Sequence, residues 1–220
     1  ISEGYADLTA TTKYRAVIQS GVCSESTSSE VTITVNEETV GGTLNSNATV
    51  CSGSNSGTLE ITGQTGDVVR WEKTTNNWGN VISVSNTTSS EDYSDLTATT
   101  KYRAIIQSGV CSEAISSEVT ITVNEETVGG TLNSNATVCS GNNTGILEIT
   151  GQTGDIVRWE KTTNSWSDIT SISNTTTSEG YADLTATTKY RAIIQSGVCS
   201  ETTSSEVTIT IDSASAGGVL

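Results

Sequence analysis

Short runs along the chain alternate apolar and polar residues with the period of a strand. In TLEIT, Leu59 and Ile61 share one face. In VVRWEK, Val69 and Trp71 are assigned inward, with Arg70 and Glu72 outward. KYRAIIQ aligns Tyr102, Ala104 and Ile106, and EVTITV aligns Val119, Ile121 and Val123, leaving Thr120 and Thr122 in water. Successive side chains of a strand point to opposite faces, so each run is expected to be half-buried. Weaker strands are expected near residues 42–44, 81–84 and 90–93. Clusters of Gly, Asn, Ser and Asp separate the runs, no stretch keeps a helical period, and proline is absent. About seven such strands predict an all-β immunoglobulin-like or fibronectin-III-like sandwich.

The pattern also repeats at long range. YADLTATTKYRAVIQSGVCSE, from Tyr5, returns as YSDLTATTKYRAIIQSGVCSE from Tyr93 and YADLTATTKYRAIIQSGVCSE from Tyr181, a spacing of 88 residues without insertion. The expected organisation is the C-terminal half of a repeat at 1–39, whole repeats at 40–127 and 128–215, and the start of a further repeat at 216–220. Such a chain reads as a window from a longer, extended tandem array. A unit of 88 residues is small but can bury a single core. The two whole units differ at 20 of 88 positions. Copies this similar say little about which residues act, but copying does gain length or valency. Junctions of a few residues, without Gly- or Ser-rich tracts, predict a semi-rigid array.

Four aromatics are read as core. Trp71 and Trp159 occupy the third strand, and the run from Leu96 to Tyr102 has the spacing of a tyrosine corner, which Tyr190 repeats. Trp78 and Trp166 differ from these, since they lie in the polar loops TTNNWGN and TTNSWSD. An exposed indole flanked by amides suits stacking on a sugar face, so both are candidate polysaccharide contacts. The plainer reading, an indole folded over the sheet edge or seated at a repeat contact, is preferred.

Composition narrows the function classes. With 10 basic and 25 acidic residues the net charge is −15, spread evenly over the repeats. Nucleic acid and anionic membrane surfaces both require a basic footprint, so neither is an expected partner. No run of 18 apolar residues or signal peptide is present in the sequence. Histidine is absent, which removes Ser-His-Asp and Cys-His catalysis within these residues, and no carboxylate pair stands out; an enzyme is not expected. No cofactor is expected. Asn36, Glu37 and Glu38, repeated as Asn124, Glu125 and Glu126, are oxygen-rich junctions of the kind calcium stiffens. The third junction keeps only Asp212, so a solvated acidic linker is the preferred reading and no metal site is assigned.

The five cysteines fall at 23, 51, 111, 139 and 199, with no Cys-x-x-Cys. Paired cysteines in a repeat predict disulfides and an oxidising compartment. Cys51–Cys111 and Cys139–Cys199, inside one repeat each, are the preferred pairs. The alternative arises if those cysteines fall at opposite ends of a sandwich, in which case they bridge neighbouring repeats.

VCSGSNSGTLEITGQTGDVVRWEKTTNNW, followed by YSDLTATTKYRAIIQSGVCSE and SSEVTITV, resembles the tandem immunoglobulin-like repeats of giant Bacteroidetes surface adhesins, those of gliding motility in particular. The resemblance covers essentially the whole chain. It implies export by the type IX secretion system, an extracellular place on the cell surface, and the gliding or secretion machinery as partners. Together with the neighbouring repeats, these make the expected function a non-catalytic stalk that projects and transmits force to a distal adhesive region. The alternative is a multivalent polysaccharide-binding array that uses Trp78 and Trp166.

Overall fold

The computed structural model describes residues 2–45, 47–133 and 135–213, so the expected restart at 216–220 lies outside the described residues. The first, partial repeat carries β1 (Thr12–Tyr14), β2 (Val17–Ile18), β3 (Ser26–Thr27) and β4 (Val31–Ile33). The second carries β5 (Thr43–Leu44), β6 (Ala48–Cys51), β7 (Ser56–Thr62), β8 (Asp67–Thr74), β9 (Ile82–Val84), β10 (Ser90–Ser94), β11 (Thr100–Gln107), β12 (Ala114–Ile115) and β13 (Val119–Asn124). The third runs through β14 (Thr131–Leu132), β15 (Ala136–Cys139), β16 (Thr144–Thr150), β17 (Asp155–Thr162), β18 (Thr170–Ile172), β19 (Ser178–Ala182), β20 (Thr188–Gln195), β21 (Thr202–Thr203) and β22 (Val207–Asp212). No helix occurs among the described residues.

By compactness the chain divides into two units. One comprises Ile1–Ser46, Thr58–Asp92 and Lys101–Thr120; the other comprises Asn47–Gly57, Tyr93–Thr100 and Ile121–Leu220. The third repeat lies wholly in the second unit and displays the sandwich in full. One sheet has the order β14-β16-β19, and the other has β15-β22-β20-β17-β18 with β21 added against β20. The first strand is shared between them. β14 pairs antiparallel with β16, whereas β15 pairs parallel with β22, placing Cys139 beside Asp212. This division, together with the two-residue β21, yields nine strands where alternation predicted about seven.

Alternation works as expected in the core. Leu147, Ile149, Trp159, Tyr190, Ala192, Ile194, Val207 and Ile209 form its centre, with Leu132 and Ile156 at the margin. Trp71 and Trp159 are fully enclosed, and each indole N–H donates to a backbone carbonyl, Thr88 and Thr176 respectively, at 3.0 Å. That bond removes the cost of burying an unpaired donor. One inward assignment needs correction. Val68, not Val69, enters the core, because the pairing of β8 with β11 slips by one residue between Ile105 and Ile106. A bulge puts two residues opposite one and reverses the alternation upstream of it. Ile156 and Val157 repeat the arrangement.

The partial repeat carries the strands of the C-terminal half of a sandwich. Ile18 and Val31 are 63% and 59% exposed, while their counterparts Ile106 and Val119 are at 0% and 1%.

The bulge generates a test. Ile156→Ala is expected to lose about 2–4 kcal/mol of unfolding free energy, and Val157→Ala under about 1 kcal/mol. Urea titrations of the two variants would read the difference; equal losses would place both residues in the core and remove the bulge.

Candidate functional site

Two places carry chemistry beyond packing: the outer face of the larger sheet and the junction between repeats. The tryptophan loop belongs to the first. Asn77 and Trp78 both have positive φ, 54° and 67°, as do Ser165 and Trp166 at 58° and 70°. Bulky residues rarely occupy that region, and two in succession require outside support. Thr74 supplies part of it, its hydroxyl accepting from the Asn76 and Trp78 amides at 3.2 and 3.3 Å. The amide of Asn80 donates to the Asn76 side-chain oxygen at 2.8 Å.

This turn folds the indole back over the sheet. The Arg103 guanidinium lies 4.0 Å from the centre of the Trp78 ring, within cation–π range, and the indole N–H donates to Glu118 at 2.6 Å. Lys101 donates to both Glu118 and Asn77, at 2.9 and 2.8 Å. Arg103 and Arg70 both reach Glu72, at 2.7 and 2.9 Å, and Arg70 continues to Glu113 at 3.0 Å. Charges of alternating sign thus cross the sheet from Glu113 to Lys101. The third repeat builds the same line from Glu201, Arg158, Glu160, Arg191, Trp166, Glu206 and Lys189.

Glu72 points away from the core yet is only 6% exposed, because two arginines lie over it. Burial pushes its carboxyl up, but the hydrogen bonds from Arg103 and Arg70 outweigh that and hold it below the ordinary value of 4.5. The Lys101 hydrogen bond, then that of Trp78, lowers Glu118 in the same way. Exposed ion pairs contribute little, but removing one partner of a buried pair leaves a charge uncompensated. Alternation placed Arg70 and Glu72 outward; it did not anticipate this network. Its sequence signal is one pair of opposite charges at facing outward positions, Glu72 in β8 against Arg103 in β11, with Arg70 and Lys101 two residues away on the same face.

At the junction the structure overturns the preferred disulfides. Cys51 is bonded to Cys199, in the next repeat, 148 residues away, and Cys111 and Cys139 are free thiols, as is Cys23. The sheet topology supplies the reason. Cys139 ends β15 beside Asp212, at the end of the sheet where β20 starts with Thr188. Cys199 follows the other end of β20, eight residues or about 26 Å away. A disulfide requires Cα atoms within about 7 Å, so Cys139 and Cys199 of one sandwich cannot meet.

Around the Cys51–Cys199 bond the junction is also hydrogen-bonded. Asn124 accepts from the Val198 amide through Oδ1 at 3.2 Å, and its carbonyl accepts from Ser52 at 2.9 Å. The Thr127 hydroxyl accepts from the Ser196 amide at 3.1 Å. Gly197 has φ 51°, a conformation that other residues adopt only with strain, and a Cβ there would push the Asn124 side chain out of its place. Glu125 and Glu126, candidate calcium ligands on sequence grounds, are exposed. Among the described residues no group of three or more acidic, Cys or His side chains is arranged for a metal ion. Asn55 ties two loops by donating to the Cys51 and Leu96 carbonyls at 2.7 and 2.8 Å.

Fold and site together define a tandem immunoglobulin-like repeat protein. The chain belongs to a family described as a domain of unknown function (DUF8696), matched at residues 2–37, 40–125 and 128–213. No curated protein matches it. Among solved structures it is similar to domains of titin, with 14% identity and a TM-score of 0.49, over 92% of this chain and 75% of that one. A Dscam structure matches at 7% identity and a TM-score of 0.42, over 82% of this chain and 47% of that one. The chain thus spans about half the length of that Dscam chain. Likeness of this order carries no argument about function.

Acid should weaken the buried network. A carboxylate whose pKa is lowered by folding contributes stability above its ordinary value and loses it as pH falls through the lowered one. Unfolding free energy is therefore expected to decline from about pH 4.5 downward. Glu72→Gln should lower stability at pH 7 and flatten that decline, as read by urea midpoints across pH. An unchanged acid slope would remove Glu72 from the account.

Proposed function

We propose that the chain is a non-catalytic repeat segment of a secreted cell-surface adhesin, a semi-rigid stalk that holds out a distal adhesive region and carries force to it. The observation behind this reading is the Cys51–Cys199 bond, which joins consecutive repeats covalently. A ligand-binding array gains avidity from flexible spacing as readily as from stiff spacing. A load-bearing one gains from a covalent tie at the joint, and from the hydrogen bonds of Asn124 and Thr127 beside it. The disulfide and the immunoglobulin-like fold fit an extracellular domain. The resemblance to Bacteroidetes adhesins extends the reading to attachment or gliding motility on the cell surface, with the gliding and secretion machinery as partners.

The tryptophans support the stalk reading over polysaccharide binding. Both indoles are half-buried, with an arginine on one face and the N–H engaged by a carboxylate. Those are the groups a sugar platform needs to have free. Here they brace a sheet.

Single-molecule pulling on the two ends tests the proposal. Unfolding of the oxidised chain should release no more than 72 residues, the 220 of the chain less the 148 that the bond bypasses. That is about 250 Å of contour at ~3.5 Å per residue; after reduction the gain should approach threefold. Full-length extension of the oxidised chain would refute a load-bearing junction. Binding to a glycan array that disappears in Trp78→Ala with Trp166→Ala would favour the polysaccharide reading instead.

A further inference from the structure

We infer that Cys111 and Cys139 are half-sites of further junction disulfides, each taking a cysteine from another tandem copy of this repeat in the register of Cys51–Cys199. The inference rests on the array itself and not on its adhesive role. Cys111 reproduces the setting of Cys199 at the preceding junction. Its amide donates to the Ser108 carbonyl at 2.9 Å, as Cys199 does to Ser196. Gln107 donates to the Cys111 carbonyl at 2.8 Å, and Gln195 to that of Cys199 at 2.9 Å. The Cys111 sulfur lies 3.4 Å from the Glu37 carbonyl oxygen, and the Cys199 sulfur 3.2 Å from that of Glu125. Gly109 and Gly197 have φ of 53° and 51°, both turned over a junction asparagine, Asn36 or Asn124. Cys199, bonded, is buried; Cys111, in the same place without a mate, is partly open.

Cys139 reproduces Cys51. Each ends a strand paired parallel with the last strand of its repeat, and the next amide, Ser140 or Ser52, donates to the carbonyl of that strand's last residue at 3.1 or 2.9 Å. Asn143 and Asn55 hold the two cysteine loops identically, each donating to the cysteine carbonyl at 2.7 Å. Cys139 is exposed, presenting its thiol where Cys51 meets the next repeat.

The chemistry is thiol–disulfide exchange. A thiolate attacks the disulfide of an oxidised dithiol carrier, and the second thiolate displaces the carrier from the mixed disulfide. Two thiols lose two protons and two electrons, and the carrier leaves as a dithiol. Once every junction is closed, the bonds interleave. Each bypasses 148 residues, and the 28 residues from Cys111 to Cys139 complete two 88-residue repeats. A taut path through the array then contains only such 28-residue segments as extensible chain.

Two extended chains test this in glutathione disulfide. The full chain continued after Leu220 by a copy of residues 133–215 gains two cysteines. Its free-thiol count should stay at the present three, because Cys139 takes the added counterpart of Cys199; a count of five overturns the inference. A copy of residues 40–88 placed ahead of Ile1 adds one cysteine and should lower the count from three to two by pairing with Cys111. Non-reducing peptide mass mapping identifies the pairs. A Cys111–Cys139 peptide, or a pair inside one repeat, would also overturn it, while retention of the Cys51–Cys199 peptide certifies that the extended chain folded.

Discussion

The parallel pairing of a repeat's divided first strand with its last strand decides where the cysteines lie and how one repeat meets the next. β5 and β14 stay with one sheet, while β6 and β15 cross to the other and run beside β13 and β22. The crossing covers the edge of the last strand, which would otherwise offer unpaired backbone groups. It also sets Cys51 level with Asn124 and Cys139 level with Asp212, at the end where the chain leaves the repeat. A cysteine at the exit faces the neighbouring copy. The bond between repeats is a consequence of this topology, and the same topology forbids the bond within one.

Much of the fold was legible because strand alternation is a local property. Leu59, Ile61, Tyr102, Ala104, Ile106, Val119 and Ile121 are buried as the period of two requires. The bulge was not legible, since Val68 and Val69 are equally apolar and only the slip against Ile106 separates them. The cysteine pairing was not legible for a different reason. Sequence spacing gives the size of a loop, whereas a disulfide depends on which end of a sandwich each strand delivers its cysteine to. The tryptophan loops were ambiguous because the decisive contacts, Arg103 and Glu118, lie 25 and 40 residues downstream of Trp78.

The charged line across the larger sheet explains how an acidic module keeps that face ordered. Of the four basic residues in residues 40–127, Arg70, Lys101 and Arg103 are committed to it, each against a glutamate. The −15 of the whole chain is therefore carried mainly by acids outside the line. Such an excess favours solubility and repels neighbouring copies of the same sign, whereas the paired charges fix one orientation of the Trp78 turn. Backbone strain at two successive positive-φ residues persists because the indole is held at both its N–H and its ring face.

Internal substitutions at the junction separate what the joint needs from what it merely carries. Asn36 and Asn124 give way to Asp212, and Thr39 and Thr127 to Ser215. The first exchange keeps a side-chain oxygen that can accept an amide hydrogen, and the second keeps a hydroxyl. These are the two acceptor functions that Val198 and Ser196 use at the joint between the second and third repeats. Glu125 and Glu126, in contrast, become Ser213 and Ala214. A joint built on carboxylate ligation would lose its ligands by that change, but one built on backbone amides meeting fixed acceptors would not. The one substituted copy therefore keeps an oxygen acceptor and a hydroxyl in sequence while it loses the glutamate pair.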